Sequence, residues 1–140
     1  MVAQKQKSIL FTPMLNSTFF VVVSALDEFS FCAALNEKLG IQLRTAPLVD
    51  ETTAHNVYTS NDELHHISID VLPNKSMRNV CVDFLENIDY IIRANTISTE
   101  SEAHNFQEQL LSIEQCTFVQ KLDLSKFTAK QVKQLQLLFV

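Results

Sequence analysis

Asp83, Glu86 and Asp89 are three carboxylates spaced by three. Carboxyl groups that converge in a cleft serve general acid–base or metal-assisted catalysis. Nothing in their local sequence makes these three converge. The preferred expectation is that Asp83 and Glu86 are solvated and that Asp89 ties down a turn or strand end. Four histidines are the other metal candidates: His55, His65, His66 and His104. His65 and His66 are neighbours on a predicted strand, point to opposite faces and cannot chelate together. His55 falls diagonal to His66 on the preceding arm, so a two-histidine cluster is the most that the spacing offers. A zinc site needs more converging ligands than that, and no metal or cofactor is expected. Asn74-Lys75-Ser76 carries donors that could hold an anion. No glycine frames it as a phosphate loop, so a polar turn is the simpler expectation. With Asp89 and Tyr90 it forms the candidate binding set, Tyr90 packing its ring while its hydroxyl finds a partner. With one glycine in the chain, no G-x-S-x-G elbow exists.

The element that must position these residues is a strand and the helix after it. Phe19, Phe20, Val21, Val22 and Val23 are five consecutive bulky apolar residues. A run without polar alternation predicts a strand covered on both faces. Asp27 offers an N-cap. Phe31, Cys32, Leu35 and Leu39 then recur at helical spacing, and Gly40 is placed to end the helix left-handed. Ile41 and Leu43 suggest a brief strand, and residues 46–55 a polar loop. Arms at residues 56–60 and 63–72, around Asn61-Asp62, predict a hairpin. Its second arm sets Ile67, Ile69 and Val71 against Ser68, Asp70 and Leu72, which predicts a half-solvated antiparallel strand. A turn at residues 73–76, an irregular link at 83–87 and a strand at 88–94 follow. Thr99 with Glu102 predicts a capped helix that turns Ala103, Phe106, Leu110 and Ile113 inward. A strand at residues 116–124 precedes a helix capped by Thr128. That helix carries Val132, Leu135, Leu138 and Phe139 on one side, and Lys126, Lys130 and Lys133 fall on the opposite side of the segment.

Composition narrows the function classes. At 140 residues with 46% apolar content, the chain is expected to form one domain with its own core. The formal charge of −5 argues against general nucleic-acid binding. Cys32, Cys81 and Cys116 are odd in number with no C-x-x-C pair, which fits reduced thiols in the cytoplasm. Residues 1–15 lack the continuous apolar run of a signal peptide, and no run approaches the ~20 residues of a membrane span.

The segment LPNKSMRNVCVDFLENIDYIIRA at residues 72–94 resembles the IPExxxVDY family of small uncharacterised Bacteroidetes proteins. That family runs an Asn-Lys-Ser turn into Ile-Pro-Glu, three variable residues and Val-Asp-Tyr before an apolar strand. Here the turn is Asn74-Lys75-Ser76 and the second half is Ile88-Asp89-Tyr90. Val82, Asp83 and Phe84 stand at the Ile-Pro-Glu positions, so the signature glutamate is absent. The apolar strand leading to Cys32, Leu35, Asn36 and Leu39-Gly40 is similar to the family as well. So is the end of the chain, with Leu122-Asp123 and Leu137-Leu138-Phe139. The resemblance implies no activity, substrate or cofactor.

The expected fold is therefore α+β, a single mainly antiparallel sheet with about three helices packed on it. Residues 1–15 are a lead-in and residues 16–140 one domain. The expected function is a non-enzymatic cytoplasmic protein-binding or structural domain. It would pair with another protein or itself through the C-terminal helix or a sheet edge. A small hydrolase or ligand-binding enzyme using Asp83, Glu86 and Asp89 is the alternative.

Overall fold

The computed structural model describes residues 17–45, 57–62, 67–76, 79–80, 82–95, 97 and 99–139. Strand β1 (Thr18–Ser24) leads into helix α1 (Glu28–Leu39), and the short β2 (Arg44–Thr45) follows. β3 (Tyr58–Asp62), β4 (Ile67–Pro73) and a two-residue ribbon, β5 (Lys75–Ser76) with β6 (Asn79–Val80), come next. A 3-10 turn at Asp83–Leu85 precedes β7 (Tyr90–Ala94) and helix α2 (Glu100–Leu111). β8 (Cys116–Lys121), a second 3-10 turn at Leu124–Lys126 and helix α3 (Ala129–Leu137) complete the order. Six strands form one sheet in the order β2-β3-β4-β7-β1-β8, with every neighbouring pair antiparallel. This is an α+β fold.

The valine-rich strand lies inside the sheet and is covered on both faces. Val22 pairs with Tyr90 of β7 on one side and Val119 of β8 on the other. Because successive side chains alternate, Phe20 and Val22 enter the core under α1 and α2, with Phe31, Leu35, Phe106 and Leu110. Phe19 and Val21 enter a second core under α3, with Leu72, Ile91, Leu135 and Phe139. Ring contacts pin both layers: Phe20 on Phe106 at 4.8 Å and Phe19 on Phe139 at 5.6 Å between centroids. The apolar run is unbroken because both faces are covered from Phe19 to Val22, with Val23 half-buried at its end.

Helix ends follow local chemistry. The Asp27 carboxylate accepts the Ser30 N–H at 2.8 Å, and Gly40 turns left-handed at φ 66° while donating to the Asn36 carbonyl. The Thr99 hydroxyl accepts the Glu102 N–H at 3.1 Å. At α3 the box is reciprocal: the Gln131 N–H donates to the Thr128 hydroxyl and the Thr128 N–H to the Gln131 side chain. Ile41 and Leu43 lie outside the strands, which here begin at Arg44, and Leu43 is instead buried in the core.

Two expectations for the hairpin are corrected. Asn61 and Asp62 belong to β3, paired with Ser68 and Ile67, so residues 63–66 link the arms. A turn at Asn61-Asp62 would set Tyr58 opposite residue 65. Tyr58 instead pairs with Val71, and both are buried in the layer under α1. The two registers differ by an even number of residues, so both keep the same faces, and tertiary burial decides between them. The second arm is not half-solvated either. Asp70 is 5% exposed and Leu72 fully buried, in the layer that α3 covers. Alternation was produced here by a buried ion pair: Asp70 faces Arg93 across β4 and β7 and accepts its Nε–H at 2.8 Å. The expected turn at residues 73–76 is also shorter, since Pro73 ends β4, Asn74 makes the bend and Lys75–Ser76 begins the ribbon.

Candidate functional site

The two halves of the segment at residues 72–94 meet where β4 ends and β7 begins. Asn74 is fully buried, and its side-chain amide makes three hydrogen bonds, with both N–H groups donating. Its NH2 donates to the carbonyls of Leu85 at 2.8 Å and Ile88 at 2.9 Å, while its oxygen accepts the Val82 N–H at 2.8 Å. Its backbone N–H donates to the Asp89 carbonyl at 2.8 Å. One Asp89 carboxylate oxygen accepts the Ser24 N–H at 2.9 Å, and the other lies 3.1 Å from Lys75 Nζ. Asp89 thereby holds the end of β1, where the β1–β8 pairing is irregular between Val23 and Ser24. Tyr90 stacks on Phe31, centroids 3.9 Å apart and planes 9° apart, and donates its hydroxyl to the Leu26 carbonyl at 2.6 Å. Burial raises the Tyr90 phenol well above its usual range. Of the candidate binding set, Asn74, Lys75, Asp89 and Tyr90 thus sit together, bonded to the chain that surrounds them. The Ser76 side chain lies outside the described residues.

The acid set is dispersed. Asp89 is engaged as above, Glu86 is exposed, and Asp83 is exposed on the 3-10 turn beside α3. Among the described residues no group of three His, Cys, Asp or Glu side chains is placed to hold a metal ion. His104 lies on the outer face of α2, 3.7 Å from Glu108. His55, His65, His66 and Cys81 fall outside the described residues. Cys32 and Cys116 are buried free thiols. Burial, with Glu28 adding to it, pushes the Cys32 thiol up to about 12, and burial also raises Cys116. Thiols held protonated are poor nucleophiles.

An open groove of about 430 Å³ runs between the 3-10 turn and α3. Asp83, Phe84, Thr128, Lys130, Gln131 and Gln134 line it. Phe84, which stands where the resembled family has its glutamate, packs its ring 5.5 Å from Phe127. Beyond the groove, α3 divides along its length. Leu135 and Phe139 are buried against the sheet, while Lys130, Lys133 and Leu137 face outward, Leu137 at 60% exposure. Val140 is outside the described residues.

Three features left little trace in the local sequence. The Asp70–Arg93 pair was hidden by ordinary strand alternation, and its cation lies 5.5 Å from the Phe139 ring centre. Phe29, at 72% exposure on α1, is met edge-on by the Tyr58 ring, and Tyr58 donates to Glu28 at 2.9 Å. Gln107 on α2 donates to the Val119 carbonyl at 2.8 Å, on the edge strand. Only Phe29 carried a signal, as an apolar residue off the helical stripe. No family model matches the chain, and no curated protein matches it. Among the described residues no helix is long and apolar enough to cross a membrane.

Proposed function

We propose that this protein is a non-enzymatic, cytoplasmic interaction domain that uses the outer face of α3 to bind a protein surface. The observation that carries this reading is Leu137, an exposed leucine beside Lys130 and Lys133 on a helix capped at its start and anchored by Leu135 and Phe139. A rigid, pre-formed helix face loses little entropy on docking, and an apolar residue within a charged rim is the usual anatomy of a small interface. The polar groups best suited to chemistry support the same reading. Asn74, Asp89 and Tyr90 are spent on internal hydrogen bonds, and Cys32 is held as a thiol. The direct contact between Asn74 and Asp89 supports, in addition, placing the chain as a divergent member of the IPExxxVDY family.

Affinity capture from the native cell extract tests the reading, with the wild type and Leu137→Asp as paired baits. A partner held by the wild type and lost from the variant, with equal thermal stability of the two, is the expected result. Identical capture by both baits, or turnover of a small substrate that is lost in Asp83→Asn, would overturn it.

A further inference from the structure

Helix α2 presents a face that complements α3, on the other side of the sheet. Leu111 is 38% exposed, one turn beyond the exposed Glu108. Glu108 shares this face with His104, 3.7 Å away, Glu114 is exposed just past the helix, and no Lys or Arg occurs from residue 100 to 115. The outward face of α3 is the reverse: Lys130 and Lys133 lead to Leu137, and α3 carries no acid. We infer that the partner of α3 is a second copy of this chain, with the lysine-and-leucine face of α3 seated on the glutamate-and-leucine face of α2. This rests on the proposed interaction role of α3 and names its occupant.

The geometry dictates how such copies assemble. α2 packs on the layer of Phe20 and Val22, and α3 on the layer of Phe19 and Val21, so the two faces look away from each other across the sheet. They cannot meet within one molecule. Seating α3 of one copy on α2 of the next leaves a free α2 and a free α3 at the ends, a head-to-tail contact that continues until a ring closes. At 1.5 Å per residue, Glu108 precedes Leu111 by about 4.5 Å and Lys133 precedes Leu137 by about 6 Å. Apposing the two leucines with the helices side by side and parallel therefore brings Lys133 next to Glu108. The sheet edges are less suited to pairing. β2 has two residues, while β8 has its Val119 carbonyl bonded by Gln107 and its Lys121 held 3.0 Å from Glu100.

Sedimentation velocity over a concentration series tests the inference. At 0.05 M salt the wild type should grow in mass with concentration, past the dimer. It should return to monomer at about 1 M salt, where screening shortens to roughly 3 Å. Lys133→Glu and Glu108→Lys should each remain monomeric, because each sets like charges together. An equimolar mixture of these two variants should associate again, since each then offers the face that the other lacks. That rescue also shows that both variants are folded. A wild type monomeric at every concentration overturns the inference, yet leaves Leu137-dependent capture of a different protein intact. A dimer that Leu137→Asp dissociates and Glu108→Lys does not would overturn the head-to-tail contact while sustaining the role of α3.

Discussion

Asn74 bonds three backbone groups with one side chain, joining the end of β4 to the 3-10 turn and to the approach to β7. Truncation would leave the buried Val82 N–H and the Ile88 carbonyl without these partners, and the Leu85 carbonyl with the Ile88 N–H alone; an unsatisfied buried group costs about 1–3 kcal/mol. Asn74→Ala should therefore lose on the order of 3 kcal/mol in urea unfolding. The neighbouring Lys75 is half exposed at 46%, and its ion pair with Asp89 is screened by solvent. Lys75→Ala should lose less than about 1 kcal/mol. Equal losses from the two variants would mean that the buried amide is not the organiser. Asn74, Lys75 and Asp89 meet where β4 ends and β7 begins, but their chemical type alone could not separate ligand donors from structural donors. That distinction depends on what faces the side chain, which here is the chain's own backbone.

Helix boundaries are the features most legible in the sequence, because capping is local. Asp27, Thr99 and Thr128 each accept a backbone N–H two or three residues into the first turn, and Gly40 supplies the left-handed end. The Asp27 carboxyl is held below the usual aspartate value, chiefly by the Ser30 backbone N–H and its side chain. A depressed folded value means that the contribution is present above the unfolded pKa, near 4. It is lost as pH falls through the lower, folded value. Asparagine caps equally well but does not titrate. Asp27→Asn should match the wild type at pH 6 and show a shallower loss of urea midpoint between about pH 4 and pH 2. Parallel acid profiles would disprove the link. Strand register was less legible: the Asn61-Asp62 signal is a real turn preference, overridden by the burial of Tyr58 beside Val71.

At the scale of the molecule, the sheet is a wall between two cores, and α3 closes the second over the Asp70–Arg93 pair. Asp70 and Arg93 side chains are 8% and 18% exposed, and the Arg93 cation lies over the Phe139 ring. Breaking a buried ion pair by removing one partner costs about 3–5 kcal/mol. Asp70→Ala should lose that much in urea unfolding and should raise hydrogen exchange in α3. Replacing both residues with leucine should recover most of the loss, because an apolar pair leaves no charge behind. A mild Asp70→Ala phenotype would place the anchoring of α3 in Leu135 and Phe139 alone.

The order of strands and helices, the caps and the doubly covered β1 were determined by the sequence itself. Each rests on interactions spanning a few residues or on a hydrophobic period that only one environment satisfies. Which strands neighbour one another, that Asp70 is buried, that Asn74 and Asp89 meet and that Leu137 remains outside were decided by the tertiary structure alone. Those outcomes turn on which groups, distant along the chain, exclude water from one another. No local pattern of residue types encodes that.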